Sequence, residues 1–350
     1  MLSHRNFCRN ILAAYAAHPC NEKDVWLSVL PMAHTYELSL GLLYPFACGA
    51  CINYLGKTPM PSLLMSALRA VRPTVMLSVP LIIEKIYRGI IVPPVMKNRA
   101  LSWIQSRIPA LFYLLAGAKL RKAFGGRLGF FGIGGAKLDI FTEKFLKKAR
   151  FPYAIGYGMT ETAPLICTAG VRSTHPGTTG TPAYGTKVRL AGTDPNTGTG
   201  EIQCKGENVM LGYYKDPERT KAAFTDDGWF RTKDLACVDS KGRFSIKGRL
   251  NTVILGPSGG NIYPEEIENV INGMAEVGES LVIQSNGRLV ALIRLKEDFS
   301  GEIDGLKKEI MNFVNRQVSR FSRIAEVRFV KEAFEKTATH KIRRMKYCTA

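Results

Sequence analysis

Five short segments hold side chains whose types and spacing could do chemistry. In Tyr157-Gly158-Met159-Thr160-Glu161 a hydroxyl and a carboxylate stand side by side just after a strand-like run. The hydroxyl can bind a phosphate oxygen, the carboxylate can hold Mg²⁺, and the glycine lets a ligand approach the backbone closely. Loops at the carboxyl ends of parallel strands are where α/β proteins hold ligands. Gly134-Gly135-Ala136, after the preceding strand, offers small residues against which a flat ring can lie. The spacing Gly132-Ile133-Gly134-Gly135 does not fit the dinucleotide fingerprint. Gly228-Trp229-Phe230-Arg231-Thr232-Lys233-Asp234 puts a carboxylate after a turn, where it can accept hydrogen bonds from two neighbouring hydroxyls. Gly248-Arg249-Leu250-Asn251 precedes Gly259-Gly260-Asn261-Ile262-Tyr263-Pro264-Glu265-Glu266. An arginine at a junction, then a glycine loop opening a helix, suits a hinge whose far side reshapes a site. The last segment is Lys336-Thr337-Ala338-Thr339-His340-Lys341-Ile342-Arg343-Arg344. Taken alone, each is also the pattern of a plain turn, cap, linker or basic tail.

The elements that must position these residues change character along the chain. In the first half strand-like and helix-like runs alternate. Ser62 reads as an N-cap, with Leu63, Leu64, Ala67, Leu68 and Val71 at helical spacing before Pro73. Thr74 to Val79 predicts a buried strand, Leu81 to Ile90 a helix, Leu128 to Ile133 a strand, Ile140 to Ala149 a helix, and Tyr153 to Gly156 a strand. That alternation predicts an α/β sheet with crossover helices. From about Gly177 to Lys247, short strands between glycine turns predict a mostly antiparallel region. The last hundred residues predict a small α+β unit, with a helix from Pro264, a longer one through Leu306 to Phe321, and a final strand at Glu326 to Val330. The expected division is 1–176, a partial α/β domain; 177–248, a β-rich subdomain; and 249–350, a mobile α+β lid.

Composition narrows the class. A chain of 350 residues, 46% hydrophobic and 22% charged, can bury a large core. The net charge of +19 suits a polyphosphate substrate, and equally nucleic acid or an acidic membrane. The usual nucleic-acid recognition motifs are absent, so nucleic acid is not the expected partner. Eight cysteines without paired spacing fit a reducing, cytoplasmic compartment. Cys48 and Cys51 form a C-x-x-C, but no second ligand pair accompanies it, and a structural role is expected. The apolar run Leu38 to Ile52 is too short to span a membrane and is interrupted by Pro45, so it reads as a core segment.

In this order and at these separations, the five segments resemble the adenylate-forming superfamily: acyl-CoA synthetases, firefly-type luciferases and peptide-synthetase adenylation domains. Leu30-Pro31-Met32-Ala33-His34 looks like the family's Leu-Pro-x-x-His. Pro73 to Pro80 with Glu84-Lys85-Ile86-Tyr87, and Val209-Met210-Leu211-Gly212-Tyr213-Tyr214, resemble the long-chain acyl-CoA synthetase branch. The resemblance covers essentially the whole chain.

The resemblance implies an ATP-dependent acid–thiol ligase that attacks the α-phosphate of ATP with a carboxylate, then passes the acyl group from AMP to CoA. By position, Thr160 would touch the α-phosphate and Glu161 would hold Mg²⁺. Gly134, Gly135, Ala136 and Tyr157 would bracket adenine, with Gly158 beside them. Asp234 and Arg249 would bind the ribose. Lys341 would bridge carboxylate and α-phosphate, and His34 would line the acyl end. Asn251 would be the hinge, bringing Gly259 and Gly260 to the CoA side in place of Lys341. Three positions depart from the pattern: Asn251 where Lys or Asp is usual, Lys233 where the family carries Gly, and His340 where many members carry Gly. Family members also carry a Ser/Thr/Gly-rich loop ending Pro-Lys-Gly ahead of a segment like Met1-Leu2-Ser3-His4-Arg5-Asn6-Phe7. The expectation is therefore a truncated chain whose phosphate-gripping loop comes from an upstream segment or a partner chain. An inactive remnant binding AMP or acyl groups, and an aryl-CoA or acyl-carrier-protein ligase, are the alternatives. Lipid-soluble substrates make peripheral membrane contact a further expectation.

Overall fold

The computed structural model describes residues 1–57, 59–91, 98–255, 261–297, 299–336 and 342–347. The chain divides into two compact units, Met1–Thr232 with Ala236–Ile246, and Lys233–Leu235 with Lys247–Ala350.

The first unit is built on a seven-stranded sheet. Its strands are β1 (Val25–Ser28), β2 (Cys51–Tyr54), β3 (Val75–Ser78), β4 (Phe130–Ile133), β5 (Tyr153–Gly158), β6 (Leu165–Thr168) and β7 (Thr181–Pro182), in the order β2-β1-β3-β4-β5-β6-β7. The five strands β2 to β5 are parallel, and β6 and β7 add on antiparallel. β3 lies at the centre of the five parallel strands and all four of its residues are buried. That is why it reads as an unbroken apolar run: helices cover both faces of a parallel sheet. On one face Leu68, Ile83, Leu120 and Leu146 of four helices close over Met76 and Phe131. On the other, the first helix (His4–Ala17) and the Tyr44–Ala47 turn pack Ala13 and Tyr44 against Trp26 and Leu77. A β-rich portion follows: β8 (Lys187–Ala191) pairs antiparallel with β9 (Gly200–Lys205), in a sheet ordered β11-β10-β9-β8 with β10 (Phe230–Val238) and β11 (Phe244–Arg249).

Four local expectations shift. Helix Pro61–Val71 starts at Pro61, with Met60 as N-cap, so Ser62 lies inside it; proline's fixed φ suits the first helical position. β5 runs on through Tyr157 and Gly158, because β6 pairs with them across a bulge. The run Leu38 to Ile52 is not one segment: a π-helical turn (Leu38–Leu43), a short helix and β2 share it. Helix Ile303–Gln317 stops short of Phe321, which is exposed.

In the second unit β12 (Ile254–Leu255) pairs antiparallel with β13 (Asn261–Ile262), and a three-stranded sheet is formed by β14 (Val277–Ser285), β15 (Arg288–Leu295) and β16 (Glu326–Phe329). β14 pairs antiparallel and β16 parallel with β15. Ile267 and Ile271 of helix Pro264–Ile271, and Leu306, Ile310 and Val314 of helix Ile303–Gln317, close one apolar cluster against it. Within this mixed α/β architecture the larger unit comes first and the smaller second.

Candidate active site

The turn after β5 is shaped by its glycine. A Cβ at Gly158 would overlap the Pro164 carbonyl oxygen, so only glycine lets the chain double back here. Met159 N–H donates to Pro164 O at 3.0 Å, and the Thr162 hydroxyl, fully buried, donates to Met159 O at 3.0 Å. The Thr160–Thr162 turn that results presents Thr160 outward and Glu161 half-buried. Tyr157 is half-buried on the last part of β5, in register with Cys167.

Three neighbours that sequence reading did not single out hold this turn. Asn10, wholly buried on the first helix, donates to Thr162 O at 2.9 Å and accepts from Leu165 N–H at 2.8 Å. The Ser39 hydroxyl donates to Ala163 O at 2.8 Å. Tyr213 donates its hydroxyl to Glu161 Oε1 at 3.0 Å, while the Arg219 guanidinium lies 4.2 Å over its ring. Burial, with the Glu161 charge second, holds the Tyr213 hydroxyl above its ordinary pKa, so it stays a donor. Tyr213 stood in a segment noted only for family resemblance; the glycine before it and the aromatic pair were the available signal.

These contacts fit a metal-holding role for Glu161. Tyr213 fixes one carboxylate oxygen and leaves the other for a further partner. Mg²⁺ commonly takes one or two carboxylates and fills its octahedron with phosphate oxygens and water. Among the described residues no group of three or more His, Cys, Asp or Glu could cage a metal ion.

Gly134 and Gly135 follow β4. Gly134 N–H donates to Ser78 O at 3.2 Å, and a Cβ on it would stand 3.2 Å from the Tyr36 ring. Gly135 takes φ +85°, a left-handed backbone that favours glycine, and both it and Ala136 are exposed. Tyr36 belongs to the short helix Thr35–Glu37, whose N-cap is His34. His34 Nδ1 accepts from Tyr36 N–H at 3.2 Å, which leaves Nε2 for the ring proton; the imidazole is exposed. Behind this helix is an apolar cavity of about 50 Å³, lined by Tyr36, Leu40, Tyr44, Gly132 and Ile155 among others. Glu37 is 1% exposed; Ser28 donates to its Oε1, and Oε2 has no partner among the described residues. Burial pushes its carboxyl up to about 7.

In the second unit the structure brings Asp234 and Arg249 together. Asp234 is 7% exposed, and Arg249 Nε stands 3.2 Å from its Oδ1. Lys233 beside it takes φ +60° with its side chain exposed, so the position has the backbone a glycine would adopt most readily. Asn251 is exposed in a short turn, Leu250–Thr252. Thr252 next to it donates to Arg249 O at 3.0 Å and to Glu265 Oε1 at 2.7 Å, and Lys247 pairs with Glu266 at 2.9 Å. The junction is thereby pinned to the start of helix Pro264–Ile271, where carboxylates also suit the helix dipole.

Gly259, Gly260, His340 and Lys341 lie outside the described residues. The residues flanking Lys341 are held firmly. Lys336 and Ile342 form an antiparallel bridge, and Lys336 pairs with Glu279. Arg344 reaches both oxygens of Glu268 at 2.7 and 2.8 Å and donates to Val282 O at 2.7 Å. Thr160 and Glu161 belong to the first unit; Asp234, Arg249, Asn251 and Lys341 belong to the second.

Comparison with known proteins identifies the family. Residues 1–214 match the family described as AMP-binding enzyme, and residues 266–341 the AMP-binding enzyme C-terminal domain. The chain is 30% identical over 325 residues to the peroxisomal long chain acyl-CoA synthetase 6 of Arabidopsis thaliana, over 85% of this chain and 46% of that one. It is 27% identical to a chloroplastic long-chain-fatty-acid–acyl-carrier-protein ligase of the same plant, over 87% of this chain and 50% of the relative. The crystal structure of ATP-bound MatB from Rhodopseudomonas palustris superposes with a TM-score of 0.74 at 27% identity, covering 99% of this chain and 65% of that one. The chain belongs to the AMP-binding enzyme family. It spans about half the length of the curated relatives it matches.

Proposed function

We propose that this chain carries most of the machinery of an ATP-dependent acid–thiol ligase whose acid is a long-chain fatty acid and whose thiol is CoA. The observation that supports this best is the oriented carboxylate of Glu161 beside the Thr160 hydroxyl, on a turn that glycine and buried hydrogen bonds leave little room to move. In this reading Thr160 binds the α-phosphate oxygen, Glu161 holds Mg²⁺, and Asp234 with Arg249 binds the ribose. Gly134, Gly135, Ala136, Tyr157 and Gly158 form the adenine slot. Lys341 places its ammonium between the attacking carboxylate and the α-phosphate, offsetting the negative charge that gathers there. Bound Mg²⁺ would supply further neutralisation of phosphate charge. His34 faces the acyl end, and Asn251 is the hinge about which Gly259 and Gly260 exchange with Lys341.

The apolar cavity behind Tyr36 supports an acyl group rather than a polar acid. At about 50 Å³ it admits a short apolar group as it stands; a long chain requires Tyr36 or Leu40 to turn aside. We propose further that the grip on the β- and γ-phosphates is supplied by residues outside this chain. Likeness to an acyl-carrier-protein ligase keeps a carrier-protein thiol as the second reading.

Binding of a non-hydrolysable acyl-adenylate separates these readings, because that ligand does not need the phosphate loop. The 350-residue chain should bind a long-chain acyl-sulfamoyl adenosine in calorimetry, and Asp234→Ala should weaken it about tenfold or more. Absence of any heat with both this ligand and AMP would sink the proposal. The chain alone should show little ATP–pyrophosphate exchange, and robust exchange would refute the external phosphate grip. Thioester formation with a phosphopantetheinyl carrier protein but not with CoA would favour the second reading.

A further inference from the structure

From Lys85 to Leu138 the chain holds ten Lys and Arg and no Asp or Glu. The acidic groups bounding or packed on this stretch are spoken for. Glu84 accepts from Asp139 N–H, Asp139 caps helix Ile140–Lys148, and Glu143 accepts from Gly177 N–H and the Tyr153 hydroxyl. Inside the stretch stand the helices Arg99–Arg107 and Pro109–Ala123. The second is apolar on both faces. Phe112, Ala116 and Leu120 are buried in the core, whereas Leu111, Leu114, Leu115 and Ala118 lie exposed at i, i+3, i+4 and i+7. Leu114 is 54% exposed and Leu115 49%. A helix that is apolar all round is normally buried all round, and a contiguous exposed apolar stripe marks an interaction surface.

The flanks say what that surface meets. Trp103, 57% exposed, has Arg99 and Arg107 four residues away on either side, hence on the same helix face. Lys119 and Lys122 close the other end of the leucine stripe. Among the described residues none of these four cations is in an ion pair, and no helix here is long and apolar enough to cross a membrane. A tryptophan and leucines bordered by Arg and Lys is the composition of an element lying in the lipid headgroup layer. There the apolar side chains enter the acyl boundary and the cations meet phosphate. A protein segment covering the stripe would have to bring acidic residues on both sides of an apolar face to meet this cationic rim, whereas an anionic bilayer supplies both parts.

We propose that the Trp103–Lys122 surface docks the first unit onto an anionic lipid surface. This surface is separate from the Glu161 turn and its test needs neither nucleotide nor acid, so it stands or falls apart from the ligase reading. Sedimentation of the whole chain with phosphatidylcholine vesicles, with and without phosphatidylserine, should show strong preference for the anionic vesicles, lost at high salt. Quenching by bromine-labelled lipid should fall on Trp103 and vanish in Trp103→Phe. Lys119→Glu with Lys122→Glu should weaken binding about thirtyfold or more, and Leu111→Glu with Leu114→Glu about tenfold or more. These side chains lie outside the core, so unchanged melting temperatures should accompany both effects. The proposal is overturned if wild-type protein shows no anionic preference or if both double variants bind as it does. It is equally overturned if the leucine variant merely dissociates a dimer, which would make the stripe a contact between copies.

Discussion

The turn bearing Thr160 and Glu161 and the segment flanking Lys341 are both fastened tightly, but by opposite means. The backbone of the turn is tied by neutral, buried hydrogen bonds from Asn10, Ser39 and Thr162, and a charged group enters only at the Glu161 side chain, through its bond with Tyr213. The C-terminal segment is tied by charge, through Arg344 on Glu268 and Lys336 on Glu279. Neutral bonds inside a core do not respond to salt or pH. An ion pair does, and its geometry survives only while both partners stay charged. Burial pushes Glu268 up to about 6 against the pull of Arg344, so at neutral pH the pair is ionised but not by a wide margin. The turn is therefore built to be constant, and the C-terminal segment to depend on its electrostatic setting.

The sharpest way to break the comparison is Glu268→Ala, which strands the Arg344 guanidinium among buried neighbours. It should cost the second unit about 3 kcal/mol or more in denaturant unfolding, and Glu268→Ala with Arg344→Met should recover much of that. If the single variant costs nothing, the charged anchor is ornamental. Asn10→Ala leaves Thr162 O and Leu165 N–H unsatisfied, and should cost the first unit about 2 to 3 kcal/mol, equally at low and high salt. A strong salt dependence would contradict the neutral character assigned to that anchor.

Glu37 sharpens the comparison from within the first unit, as a buried carboxyl with no ion pair among the described residues. Its folded pKa, about 7, lies above the unfolded 4.5. Below pH 4.5 both states are protonated and the full contribution is present. Between pH 4.5 and 7 the unfolded state releases its proton first, so stability falls with rising pH. Glu37→Gln should flatten that part of the melting-temperature profile, by up to about 3 kcal/mol across the window. An identical slope in the variant would rule the carboxyl out as its source. The smallest effect is expected at Lys233, whose φ of +60° costs a non-glycine residue. Lys233→Gly should leave stability unchanged or raise it by up to about 1 kcal/mol; a loss would show that contacts of the lysine side chain outweigh the backbone cost.

How much could be read in advance follows from what each feature depends on. β3 was legible because both its faces are buried, giving an unbroken apolar run, and helix Ile140–Lys148 because its one buried face repeats at helical spacing. Helix Pro109–Ala123 escapes a sequence reading because apolar residues on both faces erase that period, and helix Arg99–Arg107 because it buries no residue and so has no core-facing stripe to read. By sequence the Tyr157 to Glu161 segment reads as a loop, yet β5 continues through Gly158 because a partner strand is there to pair with it. Tyr213 was visible as part of a motif, but its meeting with Glu161 was not, the two being 52 positions apart.

The sequence by itself determined the kinds of groups available and where the backbone must be glycine. It placed a hydroxyl beside a carboxylate after a strand, small residues where a ring could lie, and a lysine in a basic segment. Each of these is a property of a few adjacent residues. Only the tertiary structure decided that Asn10 satisfies Thr162 and Leu165, that Arg249 lies on Asp234, and that Arg344 neutralises Glu268. Those pairings join positions far apart in the chain, and no local period encodes which distant polar group reaches a buried one first. Burial makes an unmet hydrogen bond or charge costly, so the fold selects the partner that removes the cost.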